Sequence, residues 1–142
     1  MKCRNTIVAV VLSFMITAGL QAWAQDDPYQ ALRRYDFQER ASLAAIQKEI
    51  VAARGSAQRL GAIEVKLIGV LSDVSATFGG KQEACKLLSS MGSARSVPAL
   101  QRMLAGDART ADAARYALER IPGPEASAAL RSALSTARGA AR

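Results

Sequence analysis

The 142-residue chain is half hydrophobic, 5% aromatic and 22% charged, with a net charge of +7 and no histidine. This length suits one domain and excludes a two-domain enzyme, and the apolar fraction is too high for a disordered charged tail. Without histidine there is no His-based triad, no His-containing zinc site and no imidazole proton shuttle.

The first 24 residues carry an export pattern. Lys2 and Arg4 precede an apolar run from Ile7 to Leu20, and Gln21-Ala22-Trp23-Ala24 comes next, with small residues at positions −3 and −1. These three parts predict a signal peptide over 1–24, cleaved between Ala24 and Gln25. The run is short for a membrane span of about 20 residues; an uncleaved N-terminal anchor is the alternative. Cys3 precedes the run, whereas a lipidated cysteine would come after it. The product would be periplasmic or extracellular, with no membrane span after cleavage. Cleavage leaves 118 residues and, by removing Lys2 and Arg4 from +7, a charge of +5. One cysteine, Cys85, remains, so no disulfide can form within the chain and the fold must rest on apolar burial.

Helical periodicity dominates the chain from Gln25 onward. Residues 25–38 read as a short polar lead-in, helical around Asp27 to Tyr35. Six helices then succeed one another. The first carries Leu43, Ile46, Ile50 and Ala53 and ends at Gly55. The second is capped by Ser56 and carries Leu60, Ile63, Leu67, Leu71 and Val74; Gly61 and Gly69 in it each cost about 1 kcal/mol relative to Ala, which predicts close approach of a neighbouring helix. Phe78-Gly79-Gly80 reads as a break. The third runs from about Lys81 to Met91 and buries Ala84, Leu87, Leu88 and Met91, with Gly92 at its end. Ser93 or Ser96 starts the fourth, with Pro98 in its first turn and Val97, Leu100, Met103 and Leu104 facing inward. The fifth starts near Thr110 and buries Ala114, Ala117, Leu118 and Ile121, before a stop at Pro122-Gly123-Pro124. The sixth begins at Pro124, with Ala126, Leu130, Ala133, Leu134 and Ala137 in its stripe and Gly139 closing it.

A 30-residue shift brings Ala84 onto Ala114, Leu88 onto Leu118, Met91 onto Ile121, Ala99 onto Ala129, Leu100 onto Leu130 and Leu104 onto Leu134. Each unit is a helix, a tight turn and a second helix. The first two helices form a longer, diverged copy, with Leu67 and Leu71 in the places of Leu100 and Leu104. Single units of this kind cannot bury their own face, and three stacked units can. The expected fold is therefore all-α, a short α-solenoid (ARM/HEAT-like superhelix) of about three helical hairpins, at 39–76, 80–106 and 109–138, with a tail at 139–142. A six-helix bundle with chance Ala and Leu matches is the alternative.

These hairpins carry a resemblance. Val97-Pro98-Ala99-Leu100 opening a second helix, Ala113-Ala114-Arg115-Tyr116-Ala117-Leu118-Glu119-Arg120-Ile121-Pro122-Gly123-Pro124, and Lys81-Gln82-Glu83-Ala84-Cys85-Lys86-Leu87-Leu88 with Met91-Gly92 resemble exported bacterial HEAT-repeat proteins of the PBS lyase HEAT-like type. The likeness runs from about Leu43 to Arg138. It is specific for fold and weak for function. Family members often continue with further repeats. Tetratricopeptide and ankyrin signatures are absent.

Candidate chemistry is sparse. Cys85 has Lys81 and Lys86 nearby, but its place beside Ala84 and Leu88 fits a packed thiol; intermolecular pairing is the other option. No serine lies in a Gly-x-Ser-x-Gly elbow. Asp107 with Asp112, or Glu119 with Glu125, is a weak basis for an acid pair, and Gly79-Gly80-Lys81 lacks the rest of a phosphate loop. No catalytic, cofactor or metal residue is expected. Charge is uneven: residues 25–78 hold seven bases and seven acids, and 79–142 hold ten and five. Arg95 with Arg102, and Arg131 with Arg138, each seven apart, would face one side of their helices and form an interaction face; a merely solvated surface is the plain alternative. Tyr116 is the one aromatic of this half, which argues against nucleic acid. The function expected is a non-enzymatic protein-interaction scaffold binding another protein. An accessory subunit of a cofactor-attachment or other exported enzyme, or a fragment of a longer array, are the alternatives.

Overall fold

The structure, a computed structural model, describes residues 27–140, with side chains to Thr136. The signal-peptide region and its Ala24–Gln25 junction lie outside the described residues. Seven α-helices and one 3-10 turn make up the described chain, and it contains no strand: α1 (Pro28–Arg33), α2 (Ala41–Ala53), α3 (Ala57–Ser72), α4 (Phe78–Met91), the turn Ala94–Ser96, α5 (Val97–Leu104), α6 (Ala108–Leu118) and α7 (Pro124–Ala140). The fold is all-α. No described helix is long and apolar enough to cross a membrane.

The six anticipated helices are α2 to α7. Their ends obey local chemistry. Ser56 caps α3 by accepting from the Arg59 amide at 3.3 Å, and Asp107 caps α6 by accepting from Arg109 and Thr110 at 3.0 and 3.1 Å. Gly55 and Gly123 have φ of +86° and +123°, where a side chain would strain the turns that lead into α3 and α7. Helix α7 continues past Gly139, since one glycine costs a helix only about 1 kcal/mol.

The lead-in differs from the sequence reading. Its apolar residues recur at steps of three, and Tyr29, Leu32 and Tyr35 are all buried. Helix α1 packs against α2, α3 and α4 and belongs to the core. Its docking explains Gly79-Gly80, which form the first turn of α4 and not a break. Thr77 caps that turn through the Gly80 amide at 3.1 Å. Its own amide donates to Arg33 O at 2.9 Å, and its hydroxyl donates to Tyr35 O. A Cβ on Gly79 would sit 2.6 Å from Tyr35 O, and one on Gly80 would meet Leu32 O even more closely. Two glycines are thus what lets the end of α1 rest on the start of α4.

Two other expectations are corrected. Val74 lies past the end of α3 and is 96% exposed. Gly61 and Gly69 do not mark a close helix crossing; the Arg95 and Arg33 guanidinium groups lie over them, 3.5 Å from a Cβ added there.

The core runs through every helix. Leu32, Ile46, Ile63, Leu67, Leu88, Leu100 and Leu118 are its largest fully buried aliphatic side chains. Helix α4 packs along α6, α5 along α7, and α3 against α4 and α5. Positions related by the 30-residue shift have matched burial near the middle: Ala84 and Ala114 at 0%, Ala99 and Ala129 at 4%. The match fades toward the C-terminus. Leu100 is fully buried and Leu130 partly; Leu104 is partly buried and Leu134 is 52% exposed.

Candidate functional site

Of the two anticipated arginine pairs, Arg131 and Arg138 share one helix, α7, and Arg95 and Arg102 do not. Arg95 sits in the 3-10 turn ahead of α5, and only Arg102 is on the helix, in its last turn. The chain reaches Val97 before α-helical hydrogen bonding begins, because Ser93 caps the 3-10 turn by accepting from the Arg95 amide at 3.2 Å. Arg102 and Arg131 are exposed on α5 and α7. Arg138 falls within α7, and its side chain lies outside the described residues.

The buried polar centre was not anticipated. Glu64 points into the core from α3 and is 4% exposed. One carboxylate oxygen accepts from the Ser93 amide at 2.7 Å and from the Ser96 hydroxyl at 2.5 Å, and the Ser93 hydroxyl donates to both oxygens at 2.9 and 3.0 Å. Burial pushes the carboxyl up. The hydrogen bonds from Ser96 and Ser93, with Arg95 nearby, outweigh it and hold Glu64 below the usual carboxylate range. The ionised group anchors the Ser93–Ser96 turn, and so the start of α5, to α3. Its role is structural: its partners are Ser93 and Ser96, the residues that precede the 3-10 turn and α5, and Ser96 is fully buried beneath it. The sequence did carry a signal. Glu64 stands four residues after Leu60 and three before Leu67, on the apolar stripe itself.

Cys85 is 1% exposed, and burial pushes its thiol up to about 12. It is a neutral packed thiol at neutral pH. A cleft of about 110 Å³ lies above it between α4 and α6, lined by Gln82, Lys86, Asp112 and Tyr116. The ions of this cleft are engaged elsewhere: Lys86 pairs with Glu83 at 2.7 Å, and Arg115 takes Asp112 at 2.6 Å. Arg115 also bonds Glu119, so a charged ladder runs along the outside of α6.

Two further concavities flank α2. One, about 290 Å³, opens between α2 and α4 over Tyr35, with Arg40, Gln47 and Lys86 at its rim. The other, about 220 Å³, is an alanine-lined groove between α2 and α3, formed by Ala52, Ala53, Ala62 and Ile63 with Glu49 and Arg59 at its edges. At its edge the Tyr29 hydroxyl donates to Glu49 at 2.7 Å, and Lys66 pairs with Glu49 at 3.1 Å while lying 4.6 Å above the Tyr29 ring. Burial, followed by the Glu49 hydrogen bond, raises the Tyr29 phenol well above its ordinary value. Among the described residues no three His, Cys, Asp or Glu side chains gather as a metal ion would require.

No family model, curated protein or solved structure matches this chain. Its reading therefore rests on its own residues. Of the charges described above, the Glu49–Lys66 pair and the Glu64 contacts link neighbouring elements, while the Glu83–Lys86 and Asp112–Arg115–Glu119 contacts run along single helices; exposed Arg102 and Arg131 form no ion pair among the described residues.

Proposed function

We propose that this chain is a non-enzymatic interaction scaffold: a short HEAT-like stack, exported from the cytoplasm, that presents its surface to another protein. The observation that carries the reading is the graded burial of equivalent leucines. Leu100 is fully and Leu104 partly buried on α5, against which α7 lies; their counterparts Leu130 and Leu134 on α7, which has no such neighbour among the described helices, are partly buried and exposed. This is how stacked hairpins behave, each covering the face of the one before. The order of contacts supports the same reading, with α4 on α6 and α5 on α7.

The use made of polar side chains supports a scaffold over an enzyme. Glu64, Thr77 and Asp107 spend their side chains on helix ends and turns, whereas small-molecule sites gather such groups in a deep cleft. The test is capture from an extracytoplasmic fraction by the immobilised protein. The scaffold reading predicts saturable binding of a polypeptide, lost when the fraction is first treated with protease. Binding that survives proteolysis of the fraction would contradict it.

A further inference from the structure

Charge is sorted by helix as well as by half of the chain. The acids of the first helices are ion-paired: Glu49 with Lys66, Glu83 with Lys86, Asp112 with Arg115. The second helices α3, α5 and α7 hold two acids, Glu64, which is buried, and Glu125, in the first turn of α7. On that layer Arg95, Arg102 and Arg131 are exposed; Arg102 and Arg131 form no ion pair among the described residues, and Arg95 has Glu64 nearby, whose carboxylate is hydrogen-bonded by Ser93 and Ser96. Arg95 lies across Gly61 of α3, so its charge bridges the first two members of the layer.

The repeat adds an apolar element. In the register that matches Leu67 with Leu100 and Leu100 with Leu130, Val65, Pro98 and Ala128 are equivalent, and all three are exposed. Gln101 and Arg102 correspond to Arg131 and Ser132, also all exposed. Because α3 packs on α5 and α5 on α7, an apolar row crosses three helices with a basic row beside it. Helix axes lie about 8–10 Å apart, so the row is about 20 Å long, or about six residues of extended chain at ~3.3 Å each. None of the three helices contains an aromatic residue, so the platforms on which bases or sugar rings stack are missing from this layer.

We infer that the outward layer of α3, α5 and α7 is a docking surface for an extended acidic polypeptide segment with interspersed apolar residues, held by Arg95, Arg102 and Arg131 beside the Val65–Pro98–Ala128 row. The inference rests on the repeat-scaffold reading and names the partner's chemistry.

The test is fluorescence anisotropy of a labelled peptide of about ten residues, alternating Glu and Leu, titrated with the purified protein. Saturable binding that weakens between low and physiological salt is expected. The triple variant Arg95→Gln, Arg102→Gln, Arg131→Gln should bind about tenfold more weakly with its helical circular dichroism unchanged. Arg40→Gln, Lys48→Gln, Arg54→Gln removes the same formal charge from α2 and its two ends, and should change affinity less than about twofold. The pair Arg102→Gln, Arg131→Gln alters only exposed residues and keeps the comparison valid if loss of Arg95 disturbs the Glu64 turn. Equal weakening by both triples would reduce the effect to bulk charge and overturn the assignment. So would binding to phosphatidylcholine–phosphatidylglycerol vesicles without binding to the peptide, or no peptide binding at all. If the peptide fails while protease-sensitive capture persists, the surface is wrong and the scaffold stands. If the peptide binds and no polypeptide is captured, the scaffold reading alone falls.

Discussion

Replacing Glu64 by Ala removes the acceptor for the Ser93 amide, the Ser93 hydroxyl and the fully buried Ser96 hydroxyl at once. Ser93 lies nearer solvent, and its hydroxyl can turn to water. The Ser96 hydroxyl and the Ser93 amide are left unsatisfied, at about 1–3 kcal/mol each. The expected loss is about 2–5 kcal/mol, a large part of the ~5–15 kcal/mol that holds a domain of this size. Glu64→Gln keeps one carbonyl acceptor and loses the charge, and should cost about 1–2 kcal/mol. Linkage gives a second signature. Glu64 is held below its ordinary value in the folded chain, so its contribution is full above the unfolded carboxyl value of about 4.3 and is lost as pH falls through the folded value. The gap between wild type and Glu64→Gln should therefore be widest near neutral pH and narrow below about pH 4. Urea denaturation followed by circular dichroism, at about pH 7 and about pH 3, measures both. Ser96→Ala completes the cycle, and the double variant Glu64→Ala, Ser96→Ala should cost less than the sum of the singles. A Glu64→Ala stability within about 0.5 kcal/mol of wild type would refute the anchoring role.

Packing and sequence set three other outcomes. Leu100→Ala should cost about 2–5 kcal/mol in chemical denaturation, and Leu130→Ala markedly less, because Leu130 is only partly covered; equal losses would break the burial gradient. Gly80→Ala should destabilise by about 1–3 kcal/mol, since its Cβ would press on the Leu32 carbonyl, whereas Gly61→Ala meets only the end of Arg95 at 3.5 Å and should be neutral or stabilising by up to about 1 kcal/mol. Intact-mass analysis of envelope material should give a chain that begins at Gln25 and lacks Trp23; a retained Trp23 would mean an uncleaved anchor.

The helical period made α2 to α7 legible because their stripes are built from Leu, Ile and Ala at steps of three and four. It placed a helix at α1 but missed its burial, because the segment reads as polar and two of its three buried side chains are tyrosines. Gly79-Gly80 read as a break because local propensity disfavours a helix there. What reverses it is the end of α1, which arrives from 42 residues earlier in the chain to meet Thr77. Glu64 escaped notice because an apolar stripe is counted by its apolar members, and the serines that satisfy it lie 29 and 32 residues away. Arg95, Arg102 and Arg131 lie on the outside, as their residue type implies. Arg95 does not share a helix with Arg102, because the Ser93 cap that sets it in a 3-10 turn cannot be told from a helix cap by residue type.

Peptide-resolved hydrogen exchange tests the stacked arrangement most directly. Protection should be greatest in α4, which packs against α3 on one side and α6 on the other, intermediate in α5 and α6, and least in α7, where Leu134 is uncovered. Helix α1 should be protected with α4, since the two share hydrogen bonds through Thr77. Uniform protection from α2 to α7, or an α7 as slow to exchange as α4, would contradict a stack with an open end and point to a closed bundle.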